Sequence, residues 1–202
     1  MRIIAGIHRG RRLLGPKDAT TTRPITDRVK QSLFDRLWSQ GILPEDPRTA
    51  DEEPVDARGL AVDVFGGTGS LGLEALSRGI GKCVFVEQDR EAVRRLEANI
   101  TELGLGERSR VLRVNALTPT WVMHSLREPA RVVFMDPPYA MVADAAGWQR
   151  LTPLLEALAE RTEEGGMMVL RVPKRVDPPA VSGWEGPETF GYGSMKLSFY
   201  VR

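Results

Sequence analysis

The chain has 202 residues, 42% of them hydrophobic and 27% charged, which suits one compact domain with a buried core. No apolar run approaches the length of a membrane span, Met1-Arg2-Ile3-Ile4-Ala5-Gly6 lacks the apolar core and cleavage site of a signal peptide, and a lone cysteine, Cys83, excludes a disulfide framework. The two histidines, His8 and His124, are too far apart in sequence to suggest a zinc site, so no metal is expected, and a cytoplasmic monomer is the expectation.

The net charge of +1 conceals an asymmetry. Between Met1 and Lys30 eight bases face two acids, a surplus of six, which leaves the remainder of the chain at minus five. A basic arm on an acidic body points to a polyanionic partner, against the plainer reading of a solvated tail. Arg2-Ile3-Ile4-Ala5 and Arg11-Arg12-Leu13-Leu14, separated by Gly6 and Gly10, read as a small basic hairpin. Thr22 to Pro24 is extended, because a residue before proline avoids the helical region. Thr26 then caps a helix with Val29, Leu33, Phe34 and Leu37 on its apolar face, while Arg28 and Lys30 are expected to point outward. Residues 41–56 mix Pro44, Pro47 and Pro54 with acids and show no periodicity, so an exposed acidic loop is expected. The predicted organisation is a basic hairpin and helix over 1–40, the acidic loop over 41–58, and the main domain over 59–202, the first being an extension of the last.

Ala61-Val62-Asp63-Val64-Phe65-Gly66-Gly67-Thr68-Gly69-Ser70-Leu71-Gly72 is a short apolar strand, a glycine turn and the start of a helix. Further strands are predicted at Lys82–Val86, Arg110–Val114, Arg131–Met135 and Met167–Val172, with a last one at Lys196–Val201. The intervening helices carry Val93, Leu96, Ile100 and Leu103; then Trp121, Val122 and Leu126, starting after Thr118-Pro119; then Leu151, Leu154, Leu155 and Leu158, stopped by Gly165-Gly166. Alternation of strand and helix makes this an α/β fold with a mostly parallel sheet, and the missing helix before the last strand allows that strand to be antiparallel.

In such a sheet a ligand sits at the carboxyl ends of the strands. Those ends carry Asp63, Glu87, Asn115 and Asp136. Gly67 to Gly72 matches the dinucleotide pattern G-x-G-x-x-G, a weak signal alone. The Asp63 carboxylate before the turn would repel a pyrophosphate and welcome a cation, as in S-adenosylmethionine, which carries an ammonium and a sulfonium. Glu87, about twenty residues past the glycines, is placed to accept ribose hydroxyls. Asn115 could bond an adenine edge or simply close a turn.

Asp136-Pro137-Pro138-Tyr139 supplies the chemistry. The lone pair of a conjugated exocyclic amine is delocalised into its ring. Acceptors on both N–H groups favour a pyramidal nitrogen that can attack a methyl sulfonium. The Asp136 carboxylate and Pro137 carbonyl suit that task, Pro138 adds rigidity without an N–H, and Tyr139 offers a ring for a base to stack on.

This turn resembles the (D/N)PP(Y/F) motif of amino-directed nucleic-acid methyltransferases. Together with Met1-Arg2-Ile3-Ile4-Ala5-Gly6, Arg9-Gly10-Arg11-Arg12-Leu13, Thr22-Arg23-Pro24-Ile25-Thr26-Asp27-Arg28-Val29-Lys30 and Ser32-Leu33-Phe34, it makes the chain similar to the RsmD family of bacterial 16S ribosomal RNA guanine-N2 methyltransferases. The resemblance implies a Rossmann-like class I methyltransferase sheet and methyl transfer from S-adenosylmethionine to a guanine N2 amine in small-subunit rRNA, free or in an assembling 30S particle. It implies cofactor contacts from Asp63, Phe65, Gly66, Gly67, Thr68, Gly69, Glu87, Gln88, Asn115, Ala116 and Asp136, and catalysis from Asp136 to Tyr139. The basic arm would then hold RNA phosphates through Arg9, Arg11, Arg12, Arg23, Arg28 and Lys30. Where the family more often has alanine followed by glycine-serine-glycine, this chain has Gly66-Gly67-Thr68-Gly69. The competing readings are a nicotinamide-dependent oxidoreductase, a non-catalytic RNA-binding or assembly protein, and an amino-methyltransferase acting on another RNA or DNA base.

Overall fold

The computed structural model describes residues 1–17, 25–43 and 58–202. Thr22, Arg23, Pro24 and most of the acidic segment therefore lie outside the described residues. The elements run α1 (Asp27–Ser39), β1 (Arg58–Val64), α2 (Ser70–Ser77), β2 (Ile80–Val86), α3 (Arg90–Glu102), β3 (Ser109–Leu112), α4 (Thr120–Ser125), β4 (Ala130–Met135), α5 (Ala145–Glu160), β5 (Thr162–Pro173), β6 (Glu185–Tyr192) and β7 (Met195–Val201). One seven-stranded sheet has the order β3-β2-β1-β4-β5-β7-β6. β1 to β5 pair in parallel, and β7 is antiparallel to both β5 and β6. The chain order reverses between β1 and β4, which opens a crevice at their carboxyl ends.

One apolar layer packs α1, α2 and α3 on the first face of the sheet, with Phe34, Leu73 and Leu96 meeting Phe85, Phe134 and Phe199. The other packs α4 and α5, through Val122, Leu154 and Leu158, on Val62, Val133 and Leu170. Among the described residues no helix is long and apolar enough to cross a membrane.

The N-terminal hairpin forms, with Arg2 bridged antiparallel to Arg12. Ile3 and Leu13 enter the same core as α1, so the hairpin is bound to the body by burial. Thr26 caps α1 through Val29 N–H, as expected. Lys30 departs from the expectation. It is 1% exposed, its ammonium lies 3.0 Å from the Glu74 carboxylate, and it donates to the Arg2 carbonyl at 2.6 Å. An ion-paired lysine inside the core cannot hold RNA phosphate, so Lys30 is a strut of the arm.

The elements β3, α5 and β6 also differ from the expectation. The third strand ends at Leu112 and begins at Ser109, because this edge strand pairs only with β2, and Arg113, Val114 and Asn115 turn out to solvent. The Gly165-Gly166 pair does not stop α5, which ends at Glu160. There Thr162 returns its hydroxyl to the Leu158 carbonyl at 2.7 Å, and the Arg161 carbonyl accepts Ala130 N–H at 2.7 Å, drawing the chain into the sheet. The glycines instead absorb a register shift in β5, Gly165 at φ 76°, and exchange hydrogen bonds with Arg202. β6 was not expected at all. Glu185-Gly186-Pro187-Glu188-Thr189-Phe190-Gly191-Tyr192 has no apolar alternation, and the strand is held from outside itself. Phe190 packs on Phe199, the Arg36 guanidinium covers Phe190 at 3.9 Å, and Arg36 pairs with Glu188.

Candidate active site at the carboxyl edge of the sheet

The turn after β1 is built by backbone geometry. Phe65 takes φ 59°, the only positive φ at a non-glycine among the described residues. Such strain gathers at functional sites. Gly69 sits at φ 87°, and a Cβ there would fall 2.5 Å from a Leu96 methyl, so only glycine fits. At Gly67 (φ 54°) a Cβ would meet nothing within 4 Å, which leaves open space above the turn. The Thr68 carbonyl is tied to Asn99 Nδ2 at 2.9 Å.

Two amide hydrogens of this turn, those of Gly67 and Gly72, are already committed to carboxylates. Asp63 Oδ2 accepts Gly72 N–H at 2.9 Å, so Asp63 caps the first turn of α2 from beneath. Glu87 accepts Gly67 N–H at 3.0 Å with one oxygen and the N–H groups of Gln88 and Asp89, both at 2.8 Å, with the other. In a dinucleotide fold comparable amides face a pyrophosphate. Here the same place is lined with carboxyl groups.

Asp136 joins them from β4. Its N–H donates to the Val64 carbonyl at 3.3 Å, which sets the Asp-Pro-Pro-Tyr turn directly against the glycine turn. Asp63 is 2% exposed, and burial first, then the nearby charges of Asp136 and Glu87, push its carboxyl up to about 8 against the Gly72 hydrogen bond. Burial also raises the Asp136 carboxyl, and Arg171 opposes that rise. Three acids in one crevice, with Arg171 the one cation among their described contacts, favour a cationic occupant.

Pro137 is buried and Pro138 exposed. The Pro138 carbonyl accepts Met141 N–H at 2.8 Å, closing the 3₁₀ turn Tyr139–Val142. The Tyr139 ring is half-buried and its hydroxyl is buried without a hydrogen-bond partner among the described residues. Asn115 lies three residues past β3, exposed, with its side-chain oxygen on Leu117 N–H at 3.0 Å, so it closes a turn with that atom. Ala116 is buried, and its carbonyl accepts the Trp121 indole at 3.0 Å. Gln88 is exposed beside Glu87.

Sequence reasoning missed Arg171. It stands on β5, next to β4, with its Nε 2.7 Å from Asp136 Oδ1 and its guanidinium carbon 5.7 Å from the Tyr139 ring centroid. The available signal was a lone charge inside the apolar run Met167–Val172, and buried charges are rarely unpaired. Glu74 was missed as well. Fully buried on α2, it accepts the N–H groups of Ile4 (2.9 Å) and Ala5 (3.0 Å) and pairs with Lys30 and Arg78. Asn99 adds a second tie, holding both Leu14 backbone groups and the Thr68 carbonyl.

Of the remaining bases expected to meet RNA, Arg9, Arg12 and Arg28 are exposed, with no acidic partner shown among the described residues. Arg11 pairs with Glu102 at 2.9 Å and stays half exposed. Arg23 lies outside the described residues.

The family described as "Conserved hypothetical protein 95" matches residues 1–201 of this chain. A Bacillus subtilis protein, YlbH, whose name carries a provisional assignment as an rRNA methyltransferase, is 32% identical over 202 residues, covering 98% of this chain and 97% of that protein. The Escherichia coli K12 protein named ribosomal RNA small subunit methyltransferase D is 37% identical over 139 residues, 69% of this chain and 60% of that protein. Among solved structures, a hypothetical protein of Thermus thermophilus is 34% identical and superposes with a TM-score of 0.73, covering 98% of both chains.

Proposed function

Because the chain belongs to the RsmD family, described as "Conserved hypothetical protein 95", we propose that it transfers a methyl group from S-adenosylmethionine to the exocyclic N2 amine of a guanine in small-subunit ribosomal RNA. Its fold is that of the class I methyltransferases, and its relatives are named rRNA methyltransferases. The observation that carries the reading is the contact that sets the Asp136 turn beside the end of β1, where the glycine turn begins, Asp136 N–H to the Val64 carbonyl. It supports a methyl acceptor held within reach of whatever the glycine turn binds.

The residues present fit the donor. A ligand with an ammonium, a sulfonium and no phosphate suits a crevice whose Gly67 and Gly72 amides are taken by Glu87 and Asp63. When bound, S-adenosylmethionine supplies an electrophilic methyl group. The chain's own part is alignment and electrostatics. Asp136, with one oxygen on Arg171, accepts an amine hydrogen on the other, and the Pro137 carbonyl accepts the second hydrogen. With the donor bound, these acceptors would orient the amine nitrogen, and the proton it sheds on methylation would leave toward Asp136 or solvent. Arg171 is a positioning residue that aims Asp136 and opposes the rise that burial imposes on its carboxyl. Arg9, Arg12 and Arg28, exposed and unpaired with acids among the described residues, suit phosphate contacts that position RNA without reading its bases.

Labelled methyl from S-adenosylmethionine, mapped in small-subunit rRNA from a strain lacking the gene, tests this directly. Label on a guanine N2 is expected. Label on an adenine amine, or no incorporation into RNA with the donor bound, would overturn it.

A further inference from the structure

β1, β2 and β3 end in the acids and turns described above. On the other side of Asp136, over the ends of β4, β5 and β7, lies a second feature. A cavity of about 420 Å³ opens between Tyr139 and Ala143 on one wall and Pro173, Lys174 and Arg175 on the other, with Ser194 from the β6–β7 turn closing it. Its volume lies within the range of small-molecule clefts, about 300–1,000 Å³.

The cavity is preformed. Lys174 N–H donates to the Ser194 carbonyl at 2.9 Å and Val176 N–H to the Pro173 carbonyl at 2.9 Å. Lys196 holds the Val176 carbonyl at 3.2 Å and pairs with Asp177, which fixes the segment after β5 to β7. Apolar walls face exposed cations. Lys174 and Arg175 are exposed, and no acidic partner is shown for either among the described residues. A second cavity of about 470 Å³, near Gln88, also has arginines, but two of its three are neutralised, Arg94 by Glu91 and Arg113 by Glu97. The first cavity therefore keeps its positive charge available.

Apolar walls with a tyrosine ring suit the faces of a base, and two unneutralised cations suit the phosphates joined to it. We infer that this cavity receives a single-stranded nucleotide of the RNA substrate, its base toward Tyr139 and its flanking phosphates on Lys174 and Arg175. The inference rests on the functional reading above and adds the acceptor side of the site. A base inside a helix cannot present its amine to Asp136, so the nucleotide must leave its stack, and anchoring the phosphates on each side holds the strand open.

The test uses the full chain with in vitro transcribed small-subunit RNA. In the double variant Lys174→Ala, Arg175→Ala, the slope of log affinity against log salt should fall by about 1.4, two single-strand contacts at about 0.7 each. KM for RNA should rise about ten-fold, with donor affinity and melting temperature unchanged, because both side chains are exposed. Ala143→Trp, which fills the cavity from an exposed position, should cut kcat/KM at least about ten-fold while keeping the salt slope. An unchanged salt slope and KM in the double variant, or a wild-type rate for Ala143→Trp, overturns the subsite. If the wild-type protein binds donor yet methylates no RNA, the functional reading falls, and the subsite with it. If it methylates RNA and both variants do so equally well, only the subsite falls.

Discussion

Two buried carboxylates lie eleven positions apart in one strand–turn–helix unit, and their surroundings are opposite. Glu74 on α2 meets two backbone N–H groups, an ammonium and a guanidinium, and is fully enclosed. Asp63 on β1 has one backbone N–H and feels the charges of Asp136 and Glu87. The first is a completed network, in which each charge is answered and the N-terminal arm is held to the body. The second is an incomplete one, with a single backbone N–H set against burial and two neighbouring acids. Burial alone does not separate structural from functional acids. The balance of partners does.

The sharpest way to break this contrast is at Glu74. Glu74→Ala leaves Lys30 and Arg78 inside the core without their carboxylate, and breaking a buried pair typically costs about 3–5 kcal/mol. At roughly 2–4 °C per kcal/mol for a chain of this size, the melting temperature should fall by about 10 °C. Calorimetric melting checks it, and a fall of only a degree or two would mean that the arm is held by its apolar contacts instead.

Arg171 is the next test, because it is the one cation the acid cluster already has among its described contacts. Asp136 faces Asp63 and Arg171, and the Arg171 guanidinium lies over the Tyr139 ring. Arg171→Met removes the charge that opposes the rise caused by burial, so the acid limb of the pH–rate profile should move up by about 1–3 pH units, with partial return in Arg171→Lys. A profile that does not move would make Arg171 a packing residue.

Asp63 is tested by the pH dependence of stability. Burial raises its carboxyl to about 8, against roughly 4 in an unfolded chain. The folded chain holds this proton between the two values, so its contribution to stability is fully present below about pH 4 and lost as the pH rises through about 8. Asp63→Asn should flatten that decline. Denaturation midpoints measured across this window check it, and an equal decline in the variant would place the titration elsewhere.

The contrast also explains what could be read from the sequence. The glycine turn, the strand-end acids and Asp136-Pro137-Pro138-Tyr139 were legible because their places in the fold follow from local order: a strand end, a turn, a helix start. Lys30 was not, because its helical position alone suggested solvent and its partner sits forty-four residues away on α2. Arg171 was hidden in the same way, as its partner belongs to another strand and is found only once β4 and β5 lie side by side. β6 escaped because an edge strand with glycines and a proline carries almost no apolar period. Patterns of one element are visible in a chain read alone. Charge pairs across elements are tertiary facts.

The central claim is that Asp136 acts on the amine in the transition state. Its most direct test is single-turnover methylation of small-subunit RNA at saturating donor, wild type against Asp136→Ala. Removing one preorganised polar partner of this kind typically costs about 10²–10³ in rate. The account predicts a loss of that size with RNA affinity nearly unchanged, and partial activity in Asp136→Asn, which keeps an acceptor oxygen. An Asp136→Ala protein that methylates at the wild-type rate would contradict it.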